Sequence, residues 1–260
     1  MDLRPELELA LSVADLADGF TLPHIVDRDF TVDWKANQTE VTEIDRQAET
    51  LIVDALVARR PDHGAFGEEH GVAGADSSPW RWVIDPIDGT SGFVRGIPVW
   101  ASLIALTHDD MPVLGVVSAP ALGVRWWGGV GLGAHVSTRG ATRSMAVSLV
   151  DDLADAQVSI TPSPGWDALG KTDRLLDLQR RARRSRGLGD FWQHMLVAEG
   201  AMDVAVDAVG VAPYDLAAVQ PIVEAAGGRF TDRLGDATHL HDTAVSSKGL
   251  LHDQVIAILA

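Results

Sequence analysis

The chain contains no cysteine. That excludes disulfides, thiolate nucleophiles and zinc sites built on sulfur. Basic residues are scarce too: 21 Lys and Arg stand against 37 Asp and Glu over 260 residues, a formal charge of −16. Nucleic-acid binding relies on Lys and Arg to neutralise phosphates, so this balance argues against that class. An acidic chain that handles an anionic substrate must instead recruit cations. No uninterrupted apolar run approaches ~18 residues, and charges break up the first 19, so neither a membrane span nor a secretory leader is expected and a reducing cytoplasm fits. The Gly-x-Ser-x-Gly elbow of serine hydrolases is also missing, and Asp85 and Asp88 are separated by two residues where phosphatases with an aspartyl nucleophile carry Asp-x-Asp. Tyrosine occurs once against eight tryptophans, whose large rings are expected in the core.

What is present centres on Trp82-Val83-Ile84-Asp85-Pro86-Ile87-Asp88-Gly89-Thr90-Ser91-Gly92-Phe93. Two carboxylates three residues apart, around a proline and before a glycine and a hydroxyl, offer the hard oxygen donors that Mg²⁺ takes. Pro86 fixes its own φ and biases Asp85 towards extended backbone, which lets both carboxylates turn to one point and leaves the Ile87 carbonyl free. Gly89 allows close backbone approach, and free N–H groups at the start of a following helix suit a phosphate. Alone, this would also read as an Asp-Pro turn with a capping acid. It is joined by Phe66-Gly67-Glu68-Glu69-His70, by Val41-Thr42-Glu43-Ile44-Asp45 opening a helical pattern, and by Pro213-Tyr214-Asp215-Leu216-Ala217-Ala218, which runs on to Gly227-Gly228.

Hydrophobic spacing predicts a helix over Leu7–Ala17, an extended segment from Asp27 to Trp34, a loop from Lys35 to Thr39 and a helix carrying Ile44, Ala48, Leu51, Ile52, Ala55 and Leu56 that stops at Arg60-Pro61. Short strands are predicted at Trp80–Ile84, Val99–Thr107, Val113–Ser118, Arg125–Gly128 and His135–Thr138, implying an antiparallel sheet covered by helices. Beyond about Met145 the rhythm becomes α/β: a strand at Val158–Thr161, a helix over Asp167–Arg184, another across Gln193–Gly200, a strand at Val204–Asp207, a helix from Tyr214 to Ala226 and a closing helix. Two halves, 1–144 and 145–260, are therefore expected. Gly129-Val130-Gly131-Leu132-Gly133-Ala134 fits a dinucleotide fingerprint but precedes a strand, so it reads as a tight turn. His239-Leu240-His241 alternates as a strand would. Arg180, Arg181, Arg183, Arg184 and Arg186 read as a solvated helix end or subunit contact.

The four acidic segments, in this order and across residues 35–230, resemble the inositol monophosphatase family of metal-dependent phosphomonoesterases. The resemblance implies a layered α-β-α-β-α sandwich, a homodimer and two or three Mg²⁺ ions, with Mn²⁺ able to substitute. It implies that Glu68, Asp85 and the Ile87 carbonyl hold the first ion, that Asp85, Asp88 and Asp215 hold the second, and that a third sits near Glu68. Thr90, hydrogen-bonded to Asp45, and Glu68 would activate water, Gly89 and Thr90 N–H groups would bind phosphate, Glu69 would support, and Lys35, with Asn37 and Thr39, would belong to a lid. Tyr214 departs from the Trp usual there. Gly189-Asp190-Phe191-Trp192 with Gly200-Ala201-Met202-Asp203 looks most like the branch acting on histidinol phosphate, and Asp190, Asp207 and Ser91 are then candidates to meet the substrate. Inositol 1-phosphate or a broader range of sugar and nucleotide phosphates, and a catalytically idle metal- or phosphate-binding module, are the alternatives.

Overall fold

The structure, a computed structural model, describes residues 1–35, 39–75 and 77–260. Part of the expected loop, Asn37 included, lies outside the described residues. In chain order, helix α1 (Arg4–Asp27) and a hairpin of β1 (Val32–Trp34) and β2 (Glu40–Thr42) lead into α2 (Glu43–Arg59). Strands β3 (Gly64–Gly67), β4 (Gly71–Gly74) and β5 (Trp80–Asp88) follow, then the short α3 (Thr90–Arg95). Next come β6 (Ala101–His108), β7 (Met111–Ala119), β8 (Val124–Gly129), β9 (Gly133–Thr138) and β10 (Ala141–Ser144). The remainder comprises β11 (Gln157–Ile160), α4 (Pro164–Ala168), α5 (Thr172–Arg181), β12 (Arg184–Arg186), α6 (Asp190–Ala198), β13 (Val204–Val206), α7 (Pro213–Leu216), α8 (Val219–Ala225), β14 (Arg229–Thr231), β15 (Val245–Ser247) and α9 (Gly249–Leu259).

Eight strands form one sheet in the order β10-β9-β8-β7-β6-β5-β3-β4, antiparallel except where β3 runs parallel to β5. Its central strands, β5 to β7, are largely buried on both faces, so their side chains divide by the two-residue period of extended backbone. Trp82, Ile84, Ile104, Leu106, Leu114 and Val116 pack against Leu9, Ala10, Val13 and Ala17 of α1 and Ile52 and Leu56 of α2. Val83, Leu103, Ala105, Val117 and Trp126 pack instead against Phe191 and Met195 of α6 and Val219, Ile222 and Val223 of α8. A second sheet, β12-β11-β13-β15-β14, is mixed, and Val158, Ile160, Val204 and Val245 pack on Leu175, Leu178, Leu251 and Val255 of α5 and α9. The result is the five-layer α-β-α-β-α order that the resemblance implies. Four tryptophans, Trp82, Trp100, Trp126 and Trp166, are fully buried, as their size predicts.

Some expectations fail for identifiable reasons. α1 continues to Asp27, so only Val32–Trp34 of the expected extended segment is a strand. By length and a mean hydropathy of 1.3 the Arg4–Val26 stretch could cross a membrane, against the sequence reading. Its apolar face is the one laid on the sheet, and its Asp15 and Asp18 are ion-paired to Arg125 of β8 at 2.8 and 2.7 Å. The helix expected over 167–184 is broken, because Gly170 turns left-handed (φ 64°) after α4 and Arg184–Arg186 pair in parallel with β11. The arginine cluster therefore straddles a helix end and an edge strand. Likewise 214–226 splits into α7 and α8: Pro221 has no N–H to offer the Ala217 carbonyl, and the break falls there. Gly129–Gly133 is the tight turn between β8 and β9.

One close approach holds the helix that follows Asp215 to the large sheet. A Cβ on Gly115 of β7 would lie 2.0 Å from the Ala218 carbonyl oxygen, backbone that has nowhere to move. Gly115→Ala should therefore lower stability by about 1–3 kcal/mol through overpacking, read as a lower urea midpoint at unchanged m-value. An unchanged midpoint would show that α7 and α8 do not depend on this contact.

Candidate active site

Regular extended backbone would send residues 85 and 88, three apart, to opposite faces of β5. The chain avoids this with one extra residue: Asp85 pairs with Leu103 and Asp88 with Ala101, three steps against two. Pro86 costs the bulge no ladder donor, and its carbonyl accepts the Ser102 hydroxyl at 2.8 Å. Both carboxylates consequently converge with Asp215, contributed by the first turn of α7. One oxygen from each of Asp85, Asp88 and Asp215 lies within 4.8 Å of the others. The charges of Glu68, Asp88 and Asp215 all act on Asp85, which makes it the most crowded acid of the group.

Each acid is aimed by backbone. The Ile87 N–H donates to Asp85 Oδ1 at 2.9 Å, the Phe191 N–H to Asp88 Oδ2 at 2.8 Å, and the Ala212 N–H to Asp215 Oδ2 at 2.7 Å. Among the described residues no Lys, Arg or His is ion-paired with the three. Burial, then Glu68, Asp88 and Asp215, hold Asp85 well above the carboxylate range, and burial with Asp190 and Asp215 does the same to Asp88. Burial raises Asp215 to about 7. The donor set is all hard oxygen, buried at Asp85 and half-buried at Asp88 and Asp215, with negative charge unspent, which fits a divalent cation such as Mg²⁺.

Asp45 is fully buried at the start of α2, where it closes a capping box with Thr42: Thr42 N–H and Oγ1 reach its Oδ2 at 2.9 and 2.5 Å. Its Oδ1 accepts from Thr90 Oγ1 at 3.1 Å, the contact that the resemblance implies, and the Ile87 carbonyl lies 2.9 Å from the same hydroxyl. Burial raises Asp45. Gly89 caps α3 in a left-handed conformation (φ 84°), and a Cβ there would sit 3.0 Å from the Val99 carbonyl and 3.5 Å from Asp190 Oδ2. The first N–H groups of α3 have no intrahelical acceptor.

Lys35 bridges Glu68 at 2.7 Å and Glu69 at 2.6 Å. Burial would weaken its ammonium, but the two glutamates outweigh that and raise it, while burial raises Glu68 despite the lysine. Ser91 is exposed, its hydroxyl taken by Arg95 Nη1 at 2.5 Å. Asp190 begins α6 in a left-handed conformation (φ 49°) that is strained for a residue with a Cβ. Surrounding protein shields its carboxyl although the residue is exposed, and that burial with the charge of Asp207 raises it to about 6. Asp207 is buried at the end of β13, its Oδ2 3.1 Å from His194 Nε2 and its Oδ1 accepting from the Ala208 N–H at 2.8 Å. Asp232, Asp236 and His241 form a second convergent group, but Asp232 is already spent on the Leu234 and Asp236 N–H groups and on His241.

Two residues here were not singled out from the sequence. Glu49, one turn after Asp45 on the same face of α2, is fully buried and accepts the Glu69 and His70 N–H groups at 2.7 and 2.8 Å, fixing the turn that presents Glu68. A Cβ on Gly67 would fall 2.2 Å from its carboxylate, which explains the glycine. An acid at an apolar-stripe position was the available signal. His194 is the other: a histidine inside an amphipathic helix reads as core until Asp207 is seen beside it.

The sequence pattern of the Inositol monophosphatase family matches residues 2–260. A histidinol-phosphatase of Mycobacterium tuberculosis is 44% identical over 98% of this chain and 97% of that protein, and one of Streptomyces coelicolor is 42% identical over 99% and 98%. The crystal structure of the extragenic suppressor protein suhB from Bartonella henselae superposes with a TM-score of 0.89, at 25% identity and covering 98% of each chain.

Because the folded pKa of Asp215 lies above its unfolded value, folding takes up a proton between about pH 4 and 7, and this acid costs the metal-free fold stability as pH rises through that window. In chelator at pH 7.5, Asp215→Asn should therefore melt higher than the wild type by at least ~2–4 °C, the shift given by about 1 kcal/mol. The gap should shrink at pH 5 and reverse with Mg²⁺. A variant less stable than wild type in chelator at pH 7.5 would contradict the repulsion. Separately, Glu49→Gln puts an amide N–H₂ against one of two backbone donors and should weaken Mg²⁺ activation roughly 10–100-fold at preserved fold. A Mg²⁺ titration of activity that superposes on the wild type would remove Glu49 from the site.

Proposed function

The chain belongs to the inositol monophosphatase family, and we propose that it hydrolyses histidinol phosphate to histidinol and phosphate with Mg²⁺ as cofactor. The observation that carries this reading is the full-length likeness to histidinol-phosphatases, at 44% and 42% identity. What supports the choice of ester is Asp190 and Asp207 beside the metal-ligand acids. Histidinol phosphate bears an ammonium and a titratable imidazole, and carboxylates not spent on metal are the groups that would receive them.

Glu68, Asp85 and the Ile87 carbonyl would hold one Mg²⁺ and Asp85, Asp88 and Asp215 a second, with a third near Glu68 and Mn²⁺ able to substitute. When bound, such ions lower the pKa of water and stabilise charge on the attacking and leaving oxygens. The chain's own groups do the rest. Thr90 Oγ1 donates its own hydrogen to Asp45 and keeps lone pairs for a water hydrogen, so it would receive the water proton as it passes its own to the Asp45 carboxylate, with Glu68 as the other acceptor. N–H groups of Gly89 and Thr90 receive phosphate oxygens. Lys35 Nζ donates to both Glu68 and Glu69 and so holds the two side chains together. Asp190 and Asp207 bind the cationic end, and Ser91 would meet substrate only by leaving Arg95. The active form would be a cytoplasmic homodimer.

With purified protein and Mg²⁺, kcat/KM for histidinol phosphate should exceed that for inositol 1-phosphate by roughly tenfold or more, the value of one charge-assisted hydrogen bond. Asp85→Asn should leave only background phosphate release. Equal kcat/KM for the two esters would move the reading to a broad-specificity phosphatase, and an active Asp85→Asn would break the ligand assignment.

A further inference from the structure

His194 is buried in α6 and has both ring nitrogens occupied: Nδ1 lies 2.7 Å from Ser246 Oγ and Nε2 3.1 Å from Asp207 Oδ2. Ser246 can donate to Nδ1, which places the ring proton on Nε2, where it is donated to Asp207. The order serine, histidine, aspartate mimics a nucleophilic triad. Ser246 is fully buried, however, so no substrate reaches its hydroxyl. The chain of hydrogen bonds therefore ends on Asp207, not on Ser246.

On the histidinol-phosphate reading, we propose that His194 is a positioning residue that fixes Asp207 for recognition of the cationic leaving group, with Ser246 fixing the tautomer of His194. Asp207 is bound through His194 to α6, the helix that begins at Asp190 and whose Phe191 N–H binds Asp88, so it lies beside the acids of the site. His194 lies one helical turn after Asp190 on α6 and is hydrogen-bonded to Asp207, which links it to both acids that would receive the ammonium and imidazole of the substrate. Its N–H holds one Asp207 oxygen and the Ala208 N–H holds the other, so the carboxylate cannot rotate, and each oxygen keeps a lone pair for a ligand. Asp88 receives its N–H from Phe191, on the same helix, so α6 serves the phosphate side through its backbone and the leaving-group side through its side chains.

The test measures kcat and KM for histidinol phosphate and inositol 1-phosphate with wild type, His194→Ala, His194→Gln and Ser246→Ala, at saturating Mg²⁺ and with melting curves. His194→Ala should raise KM for histidinol phosphate about 10–100-fold, the value of a charge-assisted contact, and leave kcat within about threefold. Inositol 1-phosphate, which carries no cation, should be turned over almost as by wild type. His194→Gln, whose amide N–H₂ can reach Asp207, should recover most of the loss. A KM for histidinol phosphate unchanged in His194→Ala, an equal loss on both esters, or a Gln variant no better than Ala would overturn the role. Should His194→Ala fail to fold, Ser246→Ala carries the comparison: a selective rise in KM supports the relay, an unchanged KM overturns it. A wild type indifferent to the two esters would sink the substrate assignment and this inference with it, whereas a wild-type preference retained without His194 sinks the inference alone.

Discussion

The constraint on which the rest depends is the mutual repulsion of Asp85, Asp88 and Asp215, packed with Glu68 where burial weakens screening by water. Such a group survives only because the surrounding fold overdetermines it. The bulge in β5, the Thr42–Asp45 capping box, the backbone donors to each acid and the Lys35 bridge all aim or neutralise charge at this one place. The acidity of the whole chain is a different matter, since most of its carboxylates lie at the surface where they cost little.

Much of the site was legible because its chemistry is local in sequence. Asp85, Pro86, Asp88 and Gly89 sit within five residues, and hard-cation ligation demands those types in that order. Strands β5 to β9 of the large sheet were legible for a related reason: turns separate them and their apolar runs are longer than a helix stripe allows, whereas the four-residue β3, β4 and β10 were not predicted. Asp45 could be joined to Thr90, and Asp215 to Asp85, only through the family resemblance, because no spacing rule connects residues 45 or 130 positions apart.

What escaped reading was decided by tertiary contact. Arg184–Arg186 has no strand-like apolarity, and it is extended because β11 offers a parallel edge. Helix α1 outran its expected end since Phe20 and Ile25 pack on the separate cluster of Ile44, Ile87, Phe93 and Trp100. Glu49 and His194 were passed over because each is polar only towards a partner that the chain brings in from elsewhere: the turn at 69–70 for one, Asp207 and Ser246 for the other.

The middle helical layer carries a further consequence, for synthesis. The face of the large sheet formed by Val83, Leu103, Ala105, Val117 and Trp126 belongs to the stretch made first, whereas the helices that cover it, α6 and α8, lie at 190–225. A growing chain therefore displays a broad apolar surface until well after its sheet can pair, and such surfaces invite association with other half-made chains. The acids ripen on the same schedule. Until α6 and α7 arrive, Asp88 lacks its backbone donor and Asp85 its neighbour Asp215, so the nascent fold escapes the full repulsion until the covering layer that contains it is in place.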